Sequence, residues 1–160
     1  MYLQNILLGR CVWVDPTASV NNVDLGDEVV IGKKCTVFGS ENHLLQIGRN
    51  TKIGIMTILN GYSAPLSIGS YCSIGPHCHF LVDSGPTASP RLLKKYPISA
   101  SAIHIGDHCH IGASCMIIAG SRVGEGAVIE PNSFVNGEVE AYSVYGGSPA
   151  RLIRKIHSSD

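Results

Sequence analysis

Seven histidines and six cysteines hold most of the reactive side chains in this chain. Imidazole gains and loses a proton near neutral pH, so it suits general-base work. Imidazole and thiolate can also bind zinc, which in a catalytic site needs three convergent protein ligands. The histidines are unevenly spread. His77 and His79 stand just before a segment rich in Ser, Pro and Lys, residues 81–103, and His104, His108 and His110 stand just after it. His43 and His157 lie apart. Cys35, Cys72, Cys78, Cys109 and Cys115 each stand two places before an aliphatic or aromatic residue of a six-residue repeat, whereas Cys11 lies outside that repeat. What these side chains can do depends on the element that carries them.

That element is a repeat. Aliphatic or aromatic residues recur in steps of six at Ile105, Ile111, Ile117, Val123, Ile129 and Val135. The same step links Leu25, Ile31 and Val37; Ile47, Ile53 and Leu59; and Ile68, Ile74 and Phe80, with Val14 and Val20 opening the series. A helix repeats at 3.6 and an ordinary strand only alternates, so a sustained six fits neither. The residue two before each position is uncharged and mostly small, as at Ala18, Cys35, Thr51, Thr57, Cys72, Cys78, Cys109, Cys115, Ser121, Ala127 and Ser133. Residues two apart on a strand share a side. Each hexad therefore reads as a short strand with two inward side chains, followed by a corner.

Labelling the hexads a, b and c from Leu25 exposes a slower period. Every a position is followed by glycine (26, 48, 69, 106 and 124), most b positions are too (32, 54, 75 and 112), and no c position is. A place kept for glycine marks a corner that needs positive φ or close backbone approach. The expected fold is an all-β, three-sided parallel coil. The inward cysteines fill it as small apolar residues. His79, His104 and His110 each precede an inward residue and so face outward, while His77 and His108 fall near corners.

Interruptions at 38–45, 60–66 and 81–103 all fall between a c and the next a, so all three project from one edge. In repeat proteins such insertions mark the binding face, and a loop as long as 81–103 in a compact domain is commonly functional. The division expected is a β-helix domain over 1–145 and a C-terminal turn and helix over 146–160. In the latter, Pro149 would open a short basic helix, ARLIRKI, that covers the end of the prism. The 12 basic and 12 acidic residues balance, leaving no footprint for nucleic acid. MYLQNILLGR lacks the basic start and apolar run of a signal peptide, and no stretch has the length of a membrane span. A cytoplasmic protein is expected.

With IGSYCSIGPHCHF, IHIGDHCHIGASCMIIAGSRVGEGAVI and YSVYGGSPARLIRKI in view, and with the pair Tyr96-Pro97 closing the long loop, the chain resembles the hexapeptide-repeat acyltransferases. These are left-handed β-helix homotrimers, and the likeness is greatest to the branch of maltose, galactoside and xenobiotic O-acetyltransferases. The resemblance implies an acetyl-CoA-dependent acyltransferase that O-acetylates a sugar or saccharide hydroxyl at a site between subunits. It places CoA along Ala113, Pro131, Asn136 and Arg154, with Arg151 or Lys155 as further phosphate partners, and implies no metal. The sequence departs from the family in several places. Glu130-Pro131-Asn132 replaces Gly-Ala-Gly, Gly137 replaces a lysine, and His110 replaces a tryptophan. Gly85, or Ala88 in a shifted alignment, stands where the family carries its catalytic histidine, and no histidine lies between 80 and 103. The base is then expected among His79, His110 and His104, in that order.

A second reading is a non-catalytic trimeric relative that binds CoA or a sugar. A third, a zinc-dependent carbonic anhydrase of the same fold, would need histidines two places after inward positions. Those slots hold Asp27, Lys33, Arg49, Ile55, Pro76, Asp107 and Ala113. The His-Asp-Cys motif of sugar-nucleotide N-acyltransferases meets the reversed order Asp107-His108-Cys109.

Overall fold

The structure, a computed structural model, describes residues 5–157. Its strands form three parallel sheets, one on each face of a prism. Face a stacks Ile6–Leu8, Val23–Leu25, Leu45–Ile47, Leu66–Ile68, Ile103–Ile105, Arg122–Val123 and Glu138–Val139. Face b stacks Trp13–Val14, Val30–Ile31, Lys52–Ile53, Ser73–Ile74, His110–Ile111, Val128–Ile129 and Ser143–Gly147. Face c stacks Ser19–Asn21, Thr36–Phe38, Ile58–Asn60, His79–Leu81, Met116–Ile118 and Phe134–Val135. The register aligns the hexads one above another: Ile68 with Ile105, Ile74 with Ile111, and Phe80 with Ile117. The aliphatic column of each face is buried inside the prism.

The slot two residues earlier does more than fill space. Cys72, Cys78, Cys109 and Cys115 are buried and free, and each thiol donates to a carbonyl of the next coil: Gly106, Gly112, Gly124 and Glu130, at 3.1–3.2 Å. Thr51 and Thr57 donate in the same way to Gly69 and Gly75. A buried carbonyl without a donor is costly, so cysteine and threonine at this position supply a proton as well as filling space, which Ala127 in the same slot does not. Hydrogen bonding to the sulfur stacked on it, and then burial, holds Cys78 above the usual thiol range, as it does Cys109.

The corners separate two demands. The glycine after an inward residue is there for close approach. A Cβ on Gly75 would lie 2.7 Å from Ala113 N, and one on Gly112 would lie 2.6 Å from Pro131 N. Positive φ falls two residues later, on Tyr71, His77, His108, Ser114 and Asn132 among others. Histidine and asparagine are enriched in that region relative to other side chains.

The C-terminal segment corrects an expectation. Ala150–Lys155 is a strand, not a helix. It pairs antiparallel with Ser143–Gly147, placing Arg151 opposite Gly146 and Arg154 opposite Val144. The last strand of face b would otherwise present unpaired backbone groups. A helix this short would be marginal by itself, so pairing wins. The segment thus extends face b instead of lying across the end of the prism. No described helix is long and apolar enough to cross a membrane.

Candidate functional site

The long insertion leaves the c–a edge after His79–Leu81 and returns at Ile103–Ile105. Its base is a small antiparallel ladder, Asp83 opposite Ala100 and Ser84 opposite Ser99. A single helical turn, Pro90–Leu93, sits in its arm, with the Ser89 side chain capping it by accepting from Leu92 N–H. Between this loop and face c lies a cavity of about 450 Å³. Its floor is Leu81, Met116, Ile118, Ala119 and Phe134, and its roof is Tyr96 with Asp83, Ser84 and Ser99. That volume suits a drug-sized ligand, and a mostly apolar wall with a few polar groups is what such sites show.

The three outward histidines lie on three different faces. His79, half-buried on face c, sits in register between Ile58 and Met116. Met116 lines the cavity, and His79 stands beside it on the neighbouring coil, just outside the lining. His104 is exposed on face a, with Nδ1 2.8 Å from Ser67 Oγ, and lines two open troughs there. His110 is exposed on face b between Ser73 and Val128. One chain therefore does not bring them together. His108 is a corner residue whose ring stacks on Tyr71, with centroids 5.1 Å apart and planes 5° apart, and Arg49 lies over the same Tyr71 ring at 5.5 Å.

Gly85, where the resemblance would put the family's histidine, is closed by packing. A Cβ on Gly85 would meet Ile98 Cγ1 at 2.5 Å and Ile98 Cα at 2.9 Å, so a side chain there requires the loop to move. Ala88 is exposed.

Of the four positions implied for CoA, two meet. Ala113 and Pro131 stack at the b–c corner, with Asn132 N–H donating to Ala113 O at 2.9 Å. Asn136 is exposed across face c, at the c–a edge. Because the tail is a strand, its cations spread out at about 3.3 Å per residue. Arg151 falls opposite Gly146, next to Glu130 and hence the b–c corner, whereas Arg154 lies toward the other end of the strand, beside Lys155, which pairs with Glu140. Sequence reasoning missed the cavity carboxylate. Asp83 is the one acidic residue between 80 and 103, and that was its signal.

Comparison with known proteins agrees with this picture. Residues 102–137 match the bacterial transferase hexapeptide (six repeats) family. A chloramphenicol acetyltransferase of Morganella morganii is 33% identical over 112 residues, covering 59% of this chain and 53% of that protein. The chain spans about half the length of the first such relatives it matches. An acetyltransferase of Vibrio cholerae, solved with acetyl-CoA, superposes with a TM-score of 0.68 at 27% identity, over 94% of this chain and 71% of that one. The N-acyltransferase AntD of Bacillus cereus, solved with dTDP and 3-hydroxybutyryl-CoA, gives 0.83 at 21% identity over 95% and 84%. The fold is the left-handed parallel β-helix of these proteins.

Proposed function

We propose that this chain, which carries the bacterial transferase hexapeptide repeat over residues 102–137 and resembles the acetyltransferases built on it, transfers an acetyl group from acetyl-CoA to a hydroxyl of a saccharide-like acceptor. The observation that carries the reading is the loop-roofed cavity at the edge where all three insertions emerge. The acceptor occupies that cavity, and the donor runs along the b–c corner past Ala113 and Pro131, its phosphates meeting the tail cations. A base removes the acceptor hydroxyl proton as the oxygen attacks the thioester carbonyl carbon. The tetrahedral intermediate collapses, the C–S bond breaks, and the departing sulfur takes a proton to leave as free CoA. His79 is the first choice for that base because it stands next to Met116 of the cavity wall, followed by His110 and His104.

The protein works as a homotrimer in this reading. A single flat prism encloses little, and closed symmetry lets the loop of one subunit cover the neighbour's face. The donor places the reaction in the cytoplasm. Two measurements test the proposal. Acetyl-CoA must raise the melting temperature, because a ligand of the folded state alone stabilises it. His79→Ala must lower transfer by about 10²-fold while leaving CoA binding intact. No thermal shift at millimolar CoA refutes the donor assignment.

A further inference from the structure

Under the long loop, a single carboxylate faces a wall otherwise made of carbon and hydroxyls. Of the nine residues lining the cavity, Leu81, Met116, Ile118, Ala119 and Phe134 are apolar, Ser84 and Ser99 are neutral, and Tyr96 closes the roof. Asp83 is the only one charged at neutral pH, and no Lys, Arg or His is among them. Its Oδ2 accepts a hydrogen bond from the Ser63 hydroxyl, and its backbone is fixed opposite Ala100 in the ladder at the base of the loop. The Ser63 bond orients the carboxylate but does not neutralise it. An ionised carboxylate has room for about four hydrogen bonds, so acceptor positions stay open to the cavity.

We infer that Asp83 makes this cavity selective for an acceptor bearing a protonated amine. The ammonium pairs with Asp83, while the C–H or aromatic body of the same molecule lies on Phe134, Met116 and Ile118 below Tyr96. Two features favour a cation over a neutral ligand. An ammonium–carboxylate hydrogen bond is stronger than its neutral counterpart. The aromatic faces of Tyr96 and Phe134 also attract positive charge. A neutral acceptor of the same shape lacks both: its hydroxyl can donate to Asp83, or to an amide in its place, but without a positive charge of its own. The amine is the recognition group; the hydroxyl that receives the acyl group stands elsewhere on the same molecule. Asp83 is thus a specificity-determining residue, and the inference rests on the cavity being the acceptor site.

The test uses a matched pair of probes, phenethylamine and 2-phenylethanol, titrated into the 160-residue chain by calorimetry or by chemical-shift perturbation. The expected result is a preference for the amine of about 10-fold near neutral pH, which falls as sodium chloride is raised toward 0.5 M, because salt screens a partly exposed pair. In Asp83→Asn the two probes bind alike and the alcohol is unaffected; Asp83→Glu keeps a preference for the amine. Unfolding curves of each variant show whether the loop and coils are intact. Equal binding to the parent protein overturns the inference, as does an amine preference that survives Asp83→Asn. Release of CoA thiol from acetyl-CoA, measured separately, tests the transferase reading. Active transfer without an Asp83-dependent preference sinks only this inference. A preference without any CoA binding or release sinks only the transferase reading.

Discussion

Replacing Gly112 by alanine forces two coils apart at the corner that holds Ala113 and Pro131. The new Cβ would sit 2.6 Å from Pro131 N, 2.9 Å from Ile129 O and 2.9 Å from Pro131 Cα, all backbone atoms. Ordinary carbon contacts lie at about 3.5–4.0 Å, so the upper coil must rise by roughly 0.6 Å or more. That movement stretches Gly112 N–H to Ile129 O, now 2.8 Å, and Asn132 N–H to Ala113 O, now 2.9 Å. Overpacking costs about 1–3 kcal/mol, and weakening these two bonds adds about 1 kcal/mol. For a chain of this size, about 2–4 kcal/mol lowers the melting temperature by roughly 4–16 °C. Gly137 supplies the control. It has nothing within 4 Å of its would-be Cβ and does not carry positive φ. Alanine there stabilises by about 0.4–1 kcal/mol through the unfolded chain. Thermal unfolding of both variants must therefore give shifts of opposite sign. A Gly112→Ala protein that melts at or above the parent refutes the close-approach account of the glycine positions.

Three further outcomes follow from the geometry. Under native conditions Ellman's reagent labels Cys11 and leaves the five inward cysteines unreacted until denaturant is added, because Cys11 is exposed and the others are at most 2% exposed; labelling of more than one thiol per folded chain contradicts the slot assignment. Arg151→Ala weakens CoA binding by about 5- to 10-fold, the size of one exposed cation–phosphate contact, while Arg154→Ala has the smaller effect, and calorimetric titration of the two variants ranks them. The Arg10 side chain, then the Arg10 backbone N–H, hold Asp27 below the usual carboxylate range. A depressed folded-state pKa gives stability that is present above the unfolded pKa and lost as pH falls through the folded one. Melting temperature against pH therefore has a shallower acid limb in Asp27→Asn than in the parent.

Sequence carried the architecture because the signal is redundant. Many hexads assign the same residue types to the same faces, and the period-three placement of glycine sets the number of faces. The edge that bears the insertions followed from the same frame. Where a position had only local evidence, it misled or stayed silent. The tail ARLIRKI suits a helix by composition, and only the unpaired edge of Ser143–Gly147 decides for a strand. The inward cysteines read as small apolar residues, yet their thiols satisfy corner carbonyls, a need visible only once the coils are stacked. Gly85 reads as a lost histidine, whereas its lack of a side chain is required by Ile98. Asp83 carries no motif and gains meaning from the cavity above face c.

The histidine cluster shows why neighbours in sequence need not share a site on a solenoid. Each corner turns the chain onto a new face, so one hexad carries it away from where it was. His79 and His104 flank the edge from which the loop emerges, but on faces c and a, and His110 is one corner further on, on face b. His77 and His108 sit at the corner itself and hold positive φ, as Lys34, Met56, Tyr71 and Ser114 do at equivalent corners. Of the five histidines around the loop, two are thus corner residues and lie on none of the three faces. The remaining three can join a common cleft only if a second chain brings another face against face c. Within one chain, Asp83 and Tyr96 are the ionisable groups that line the cavity. In the proposed function the chemistry of the site would therefore be divided: the chain's own fold would supply recognition of the acceptor through Asp83 and the cavity wall, and a neighbouring copy would have to bring any imidazole beyond His79.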